Sequence, residues 1–113
     1  MLPRKNRLTN KKDFEEVHRL GSFFSFGVVF LKVKKNNTGK TRAGFLVGIK
    51  FSKKAVERNR IKRQLREIVR KNIGKIKESF DLVISLKKSS KKEILSKDLE
   101  RDLMSVLEKA KLV

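Results

Sequence analysis

Ala55-Val56-Glu57-Arg58-Asn59-Arg60-Ile61-Lys62-Arg63-Gln64-Leu65-Arg66-Glu67-Ile68-Val69-Arg70 is the stretch from which the rest of the chain can be read. At about 100° per residue, Ile61, Leu65, Ile68 and Val69 fall on one stripe of a helix. Asn59, Arg63, Arg66 and Arg70 fall on the opposite stripe, with Arg60 and Lys62 on its flanks. The helix is expected from Ala55 to Ile73 and is ended by Gly74. The alternatives for its basic stripe are a solvated face on a core helix and a polyanion-binding surface. Glutamates do not neutralise the stripe, since only Glu67 lies close to it, and that favours the second.

Working outward, both flanks of this helix read as strands. Before it, Phe45, Val47, Ile49 and Phe51 alternate with Leu46, Gly48 and Lys50. After it, Phe80, Leu82, Ile84 and Leu86 alternate with Asp81, Val83 and Ser85. A further strand upstream sets Val29, Leu31 and Val33 against Val28, Phe30, Lys32 and Lys34, and Lys35-Asn36-Asn37-Thr38-Gly39-Lys40 has hairpin-loop chemistry. Lysines on the second face of the first two strands imply a sheet buried on one side, with mixed basic and apolar groups on the other. A helix over Lys11 to Leu20, capped by Thr9 or Asn10 and stopped at Gly21, precedes them. On it Phe14 and His18 are four apart and share a face. A last helix carries Leu99, Leu103, Val106, Leu107 and Ala110; Ser90 with Glu93 has capping-box spacing, and Ser96 is the other candidate start. The expected fold is α+β: a single-domain α-β-β-α-β-α sandwich over residues 1–113, with a small mixed sheet covered by helices on one face.

Composition narrows the function. Thirty-one Lys and Arg against twelve Asp and Glu give a formal charge of +19. Such an excess works against the compact state by self-repulsion, which points to a polyanionic partner, nucleic acid first and an anionic membrane surface second. The absence of cysteine excludes disulfides, thiol catalysis and Cys-ligated zinc. The basic start is followed by no apolar run of about 7–15 residues, and Phe23 to Leu31 falls short of a bilayer span. A cytoplasmic location is expected. No catalytic set emerges: His18 is the lone histidine and has no Ser-plus-carboxylate pattern beside it. The acids are scattered: Glu15 and Glu16 point to different helix faces, and Asp98 and Asp102 read as ordinary surface charges among Lys97 and Arg101. No catalytic residue and no metal ligand is expected, and no dinucleotide or P-loop motif is present.

Ala55-x-x-Arg58-Asn59-Arg60-Ile61-Lys62-Arg63-x-Leu65-Arg66 resembles the signature helix of the protein subunit of bacterial ribonuclease P. Arg7-Leu8 followed by Asp13-Phe14-x-x-Val17-x-x-x-Gly21 is similar to that family's first helix, and Arg42-x-Gly44 and Asp81-Leu82-Val83-Ile84 match its strands. The resemblance covers nearly the whole chain. Three positions depart from it: Phe51-Ser52-Lys53-Lys54 where the family usually has a glycine, His18 where a second aromatic is common, and Lys32 where some members have tyrosine.

The resemblance implies a ribonucleoprotein endonuclease that removes the 5′ leader of precursor tRNA, with the catalyst made of RNA and Mg2+ in the RNA active site. It implies that Arg58, Asn59, Arg60, Lys62, Arg63, Arg66 and Arg70 face the catalytic RNA. Phe14, His18, Phe30, Lys32 and Lys50 would hold the single-stranded leader in a cleft between the first helix and the open sheet face. Stacking platforms in a cationic groove suit an unpaired strand. No cofactor bound by the protein alone, no membrane and no protein partner are implied. General chain geometry favours a right-handed strand-helix-strand crossover through the basic helix; the resemblance implies the left-handed form. A structural ribosomal protein shares the size and basicity but is more often marked by long basic tails. A helix-turn-helix module would need a partner helix a tight turn away, and a membrane-surface helix would need aromatics on its apolar face.

Overall fold

In the computed structural model, described for residues 2–87 and 96–113, Asn10 caps the first helix, α1 (Lys11–Leu20). Its side chain accepts the backbone N–H of Lys12 at 2.8 Å, satisfying one of the amides a helix start leaves unpaired. The chain then forms β1 (Ser22–Phe26), β2 (Val29–Lys35), β3 (Arg42–Leu46), α2 (Ala55–Asn72), β4 (Phe80–Leu86) and α3 (Ser96–Lys109). The capping candidates Ser90 and Glu93 lie outside the described residues.

The sheet runs β1-β2-β4-β3, with β4 antiparallel to β2 and parallel to β3. One strand more than the expected order is present. Phe23 to Leu31 is an antiparallel hairpin rather than one apolar run, because Gly27 sits at φ +56 and opens a two-residue turn between paired Phe26 and Val29. Two further expectations are corrected. The segment after Lys35 does not join hydrogen-bonded neighbours: β4 lies between β2 and β3, and the loop steps over it. Asn36 shapes that step, accepting the Thr38 N–H at 3.0 Å and donating to Lys40 O at 3.0 Å. The strand expected over Phe45 to Phe51 instead spans Arg42–Leu46. Its partner β4 ends at Leu86, and past Leu46 the chain turns, the Gly48 carbonyl accepting Phe51 N–H at 3.0 Å. Ile49 is therefore 69% exposed instead of sharing a core face with Phe45.

One sheet face carries Val29, Leu31, Val33, Leu82 and Ile84, packed against the apolar sides of α2 and α3. The α2 residues that the helical period selects, Ile61, Leu65, Ile68 and Val69, are all buried there. Each such side chain contributes about 1.5–3 kcal/mol by leaving water, which offsets the repulsion of the charges it brings along. From α3, Leu99, Leu103, Val106 and Leu107 complete this core. The other face carries α1, whose Val17 packs with Leu8, Val83 and half-buried Phe14 in a separate small cluster. Because α1 lies on β2 and β4, the described residues leave part of this face uncovered.

Two buried carboxylates hold the frame. Asp81, 4% exposed, accepts Arg42 Nε and Nη2 at 2.8 Å each and Asn36 Nδ2 at 2.7 Å. Arg42 also reaches Asp13 on α1 at 3.3 Å, so one guanidinium joins α1, β3 and β4. Hydrogen bonding to Asp81 outweighs the cost of burial and, with the charges of Asp81 and Asp13, raises the Arg42 pKa above its ordinary value. Asp102 is not an ordinary surface charge: it is buried, accepts Val28 N–H at 3.2 Å, and occupies the space any side chain at Gly27 would need. The helical spacing alone could not show that a hairpin turn ends beside it.

Candidate nucleic-acid interface

The unburied side of α2 presents its cations in three different states. Asn59, Arg63 and Arg66 are exposed, with Arg60 and Lys62 half-buried on the flanks, and none of the five side chains hydrogen-bonds or ion-pairs with another described residue. Arg58 is turned back, its Nη1 donating to the Ser52 carbonyl at 2.8 Å, so it secures the turn that enters the helix. Arg70 forks onto Glu67 one turn away, with Nε at 3.1 and 3.0 Å from the two carboxylate oxygens and a further contact through Nη2. This hydrogen bonding lowers the Glu67 pKa and raises that of Arg70. Both groups are exposed, so the pair is open to competition from an incoming phosphate.

Across the second sheet face, α1 overhangs a cleft of about 490 Å³ lined by Phe14, His18, Lys32, Leu46 and Val83, with Thr9, Lys11 and Glu15 at its margin. Each side chain arrives from a different constraint. Phe14 and His18 share a face of α1. The end of the Phe14 ring reaches the sheet because residue 44 is glycine; a Cβ there would overlap it. Lys32 pairs with Val83 in the β2–β4 register, and its Nζ donates to the His18 carbonyl at 2.7 Å near the end of α1. A cation is favoured there by the helix dipole and the open carbonyls. A cationic amine, an imidazole and an aromatic ring thus meet over an apolar floor, a combination suited to a strand of stacked bases and phosphates.

Phe30 does not line this cleft. It lies on the same sheet face one register row further out, against Phe23 with ring centroids 5.4 Å apart and planes at 53°, and with Lys87 Nζ 6.0 Å above its ring. Lys50 is exposed in the turn after β3, off the sheet and not among the cleft residues. Phe23 and Lys87 were not singled out from sequence; the register of β1 on β2 brings Phe23 beside Phe30, and that of β4 on β2 brings Lys87 there.

Phe14 also borders a second recess, about 620 Å³, which runs toward α2 between Leu8, Gly44 and Phe45 and is rimmed by Arg7, Arg63 and Arg66. The cleft and the arginine side of α2 therefore adjoin through one aromatic ring. Among the described residues no group of three or more acidic or histidine side chains is placed to hold a metal ion. No described helix is long and apolar enough to cross a membrane.

The sequence model of the family described as Ribonuclease P matches residues 2–111. The chain is 38% identical to the ribonuclease P protein component of Pseudanabaena sp., over all of this chain and 97% of that protein. It is 34% identical to the one from Fusobacterium nucleatum, over 96% and 99%. Among solved structures, the RNase P protein of Thermotoga maritima in complex with 1-(4-fluorophenyl)-2-thiourea superposes with a TM-score of 0.82 at 31% identity, covering 89% of this chain and 96% of that one. The Staphylococcus aureus RNase P protein superposes with a TM-score of 0.84 at 25% identity, covering 95% and 96%.

Proposed function

The chain belongs to the ribonuclease P protein family, the protein component of a ribonucleoprotein endonuclease in tRNA processing, and from that premise we propose how its two surfaces divide the work. The exposed side of α2 docks on the catalytic RNA, chiefly through Arg63, Arg66 and Asn59, with Arg60 and Lys62 beside them. Arg58 acts by holding the helix start. Arg70 joins after exchanging Glu67 for phosphate. Arginine suits this role because its planar fork takes two phosphate oxygens at once. The cleft under α1 takes the single-stranded 5′ leader of precursor tRNA, with Phe14 and His18 as stacking surfaces and Lys32 as the phosphate cation.

The observation that carries this reading is the juxtaposition of Phe14, His18 and Lys32 around one cleft that abuts Arg63 and Arg66 of α2. Phosphodiester hydrolysis, with its Mg2+, belongs to the RNA. The protein raises substrate affinity by adding a leader contact the RNA lacks, and works in the cytoplasm. The test is reconstitution. Protein freed of RNA should leave precursor tRNA intact at every magnesium concentration, and addition of the catalytic RNA should yield the mature 5′ end. Cleavage by RNA-free protein would refute the division.

A further inference from the structure

The uncovered part of the second sheet face does not end at the α1 cleft. Strand register lines up Leu46, Ser85, Phe30 and Ser25 as one row crossing β3, β4, β2 and β1, with Phe23 and Lys32 in the adjoining row. At about 4.8 Å between strands, β1 lies one strand, about 5 Å, beyond the Lys32 side of the cleft. Along it Phe23 is 55% exposed, tilted against half-buried Phe30, with Lys32 on one side and Lys87 on the other. Two aromatic rings set between two lysines are chemistry a folding core does not need.

We propose that Phe23 and Phe30, flanked by Lys87, form a second stacking platform that takes leader nucleotides farther from the cleavage site than those under α1. The proposal rests on the leader reading of the α1 cleft and extends it. A second copy of the chain is the competing occupant for an exposed aromatic edge strand. Charge decides against it: each copy carries +19, so self-association must overcome mutual repulsion that a polyanionic strand converts into attraction. The Phe23 ring stands half in water, so its truncation leaves the core that Leu31 and Ile84 form intact.

Reconstituted holoenzyme carrying Phe23→Ala, Phe23→Trp or Lys87→Gln should be compared on precursor tRNAs with leaders too short to pass Lys32 and with long leaders. Phe23→Ala should weaken binding of the long-leader substrate about fivefold or more, the loss of one stacked base, and leave the short-leader substrate unchanged. Phe23→Trp should retain or exceed the parent affinity, and Lys87→Gln should flatten the salt dependence for long leaders only. Unchanged long-leader affinity in Phe23→Ala, or equal losses on both substrates, would overturn the platform, as would a change confined to self-association in sedimentation. If the parent protein itself shows no dependence on leader length, the α1 cleft reading fails too. If it does and Phe23→Ala keeps it, only the platform fails.

Discussion

Arg63 and Arg66 stand on α2 with no described partner, whereas Arg58 is spent on the Ser52 carbonyl and Arg70 on Glu67. Helical spacing placed Arg63, Arg66 and Arg70 on the polar stripe and the family resemblance added Arg58; neither could separate them, because a hydrogen bond to a preceding turn leaves no trace in periodicity. The separation has consequences. Arg63→Ala or Arg66→Ala should weaken binding to the catalytic RNA and lower the slope of log affinity against log salt by nearly one unit each, with the melting temperature nearly unchanged. Arg58→Ala should lose stability as well, since it frees the turn that starts the helix. Salt titrations beside thermal melts distinguish the two classes. Phe14 shows the same limit from the other side. Its place on a short amphipathic helix is legible, but its contact with Gly44 depends on a strand some thirty residues away.

Among the elements, α1, α2, β4 and the apolar stripe of α3 were readable because each writes its own period into a contiguous stretch. The sheet order was not. β2 and β3 look like a hairpin pair locally, and the residues that draw β4 between them, Asp81 and Arg42, are far apart in sequence. β1 was hidden for a different reason: an apolar run on both sides of Gly27 gives no sign that one glycine at positive φ folds it back. The Arg42 hub makes the sheet order testable. Arg42→Met leaves the Asp81 carboxylate buried without its partner, so unfolding free energy should fall by about 3 kcal/mol. Adding Asp81→Leu should recover part of that loss, because an apolar pair needs no desolvated charge. Denaturant unfolding of the single and double variants measures both, and a double variant less stable than Arg42→Met would show that Asp81 holds the sheet by other bonds.

On the scale of the whole molecule, a small core carries a net charge of +19, and the exposed side of α2 concentrates part of it. Anions should therefore stabilise the free protein, by screening and by binding the native helix face. The melting temperature followed by circular dichroism should climb with sulfate, more steeply than with chloride at equal ionic strength; a flat response would show that repulsion is not what limits stability. Charge explains attraction to RNA in general, while the division between a docking helix and a leader cleft is a claim about place. Phe14→Leu tests it most directly, since leucine keeps an apolar anchor on Gly44 and removes the aromatic face. With reconstituted holoenzyme, the ratio of affinities for precursor tRNA with and without its leader should fall, by about 1–3 kcal/mol for one lost stacking surface, while affinity for the leaderless substrate holds. An unchanged ratio, or an equal loss on both substrates, would contradict the account.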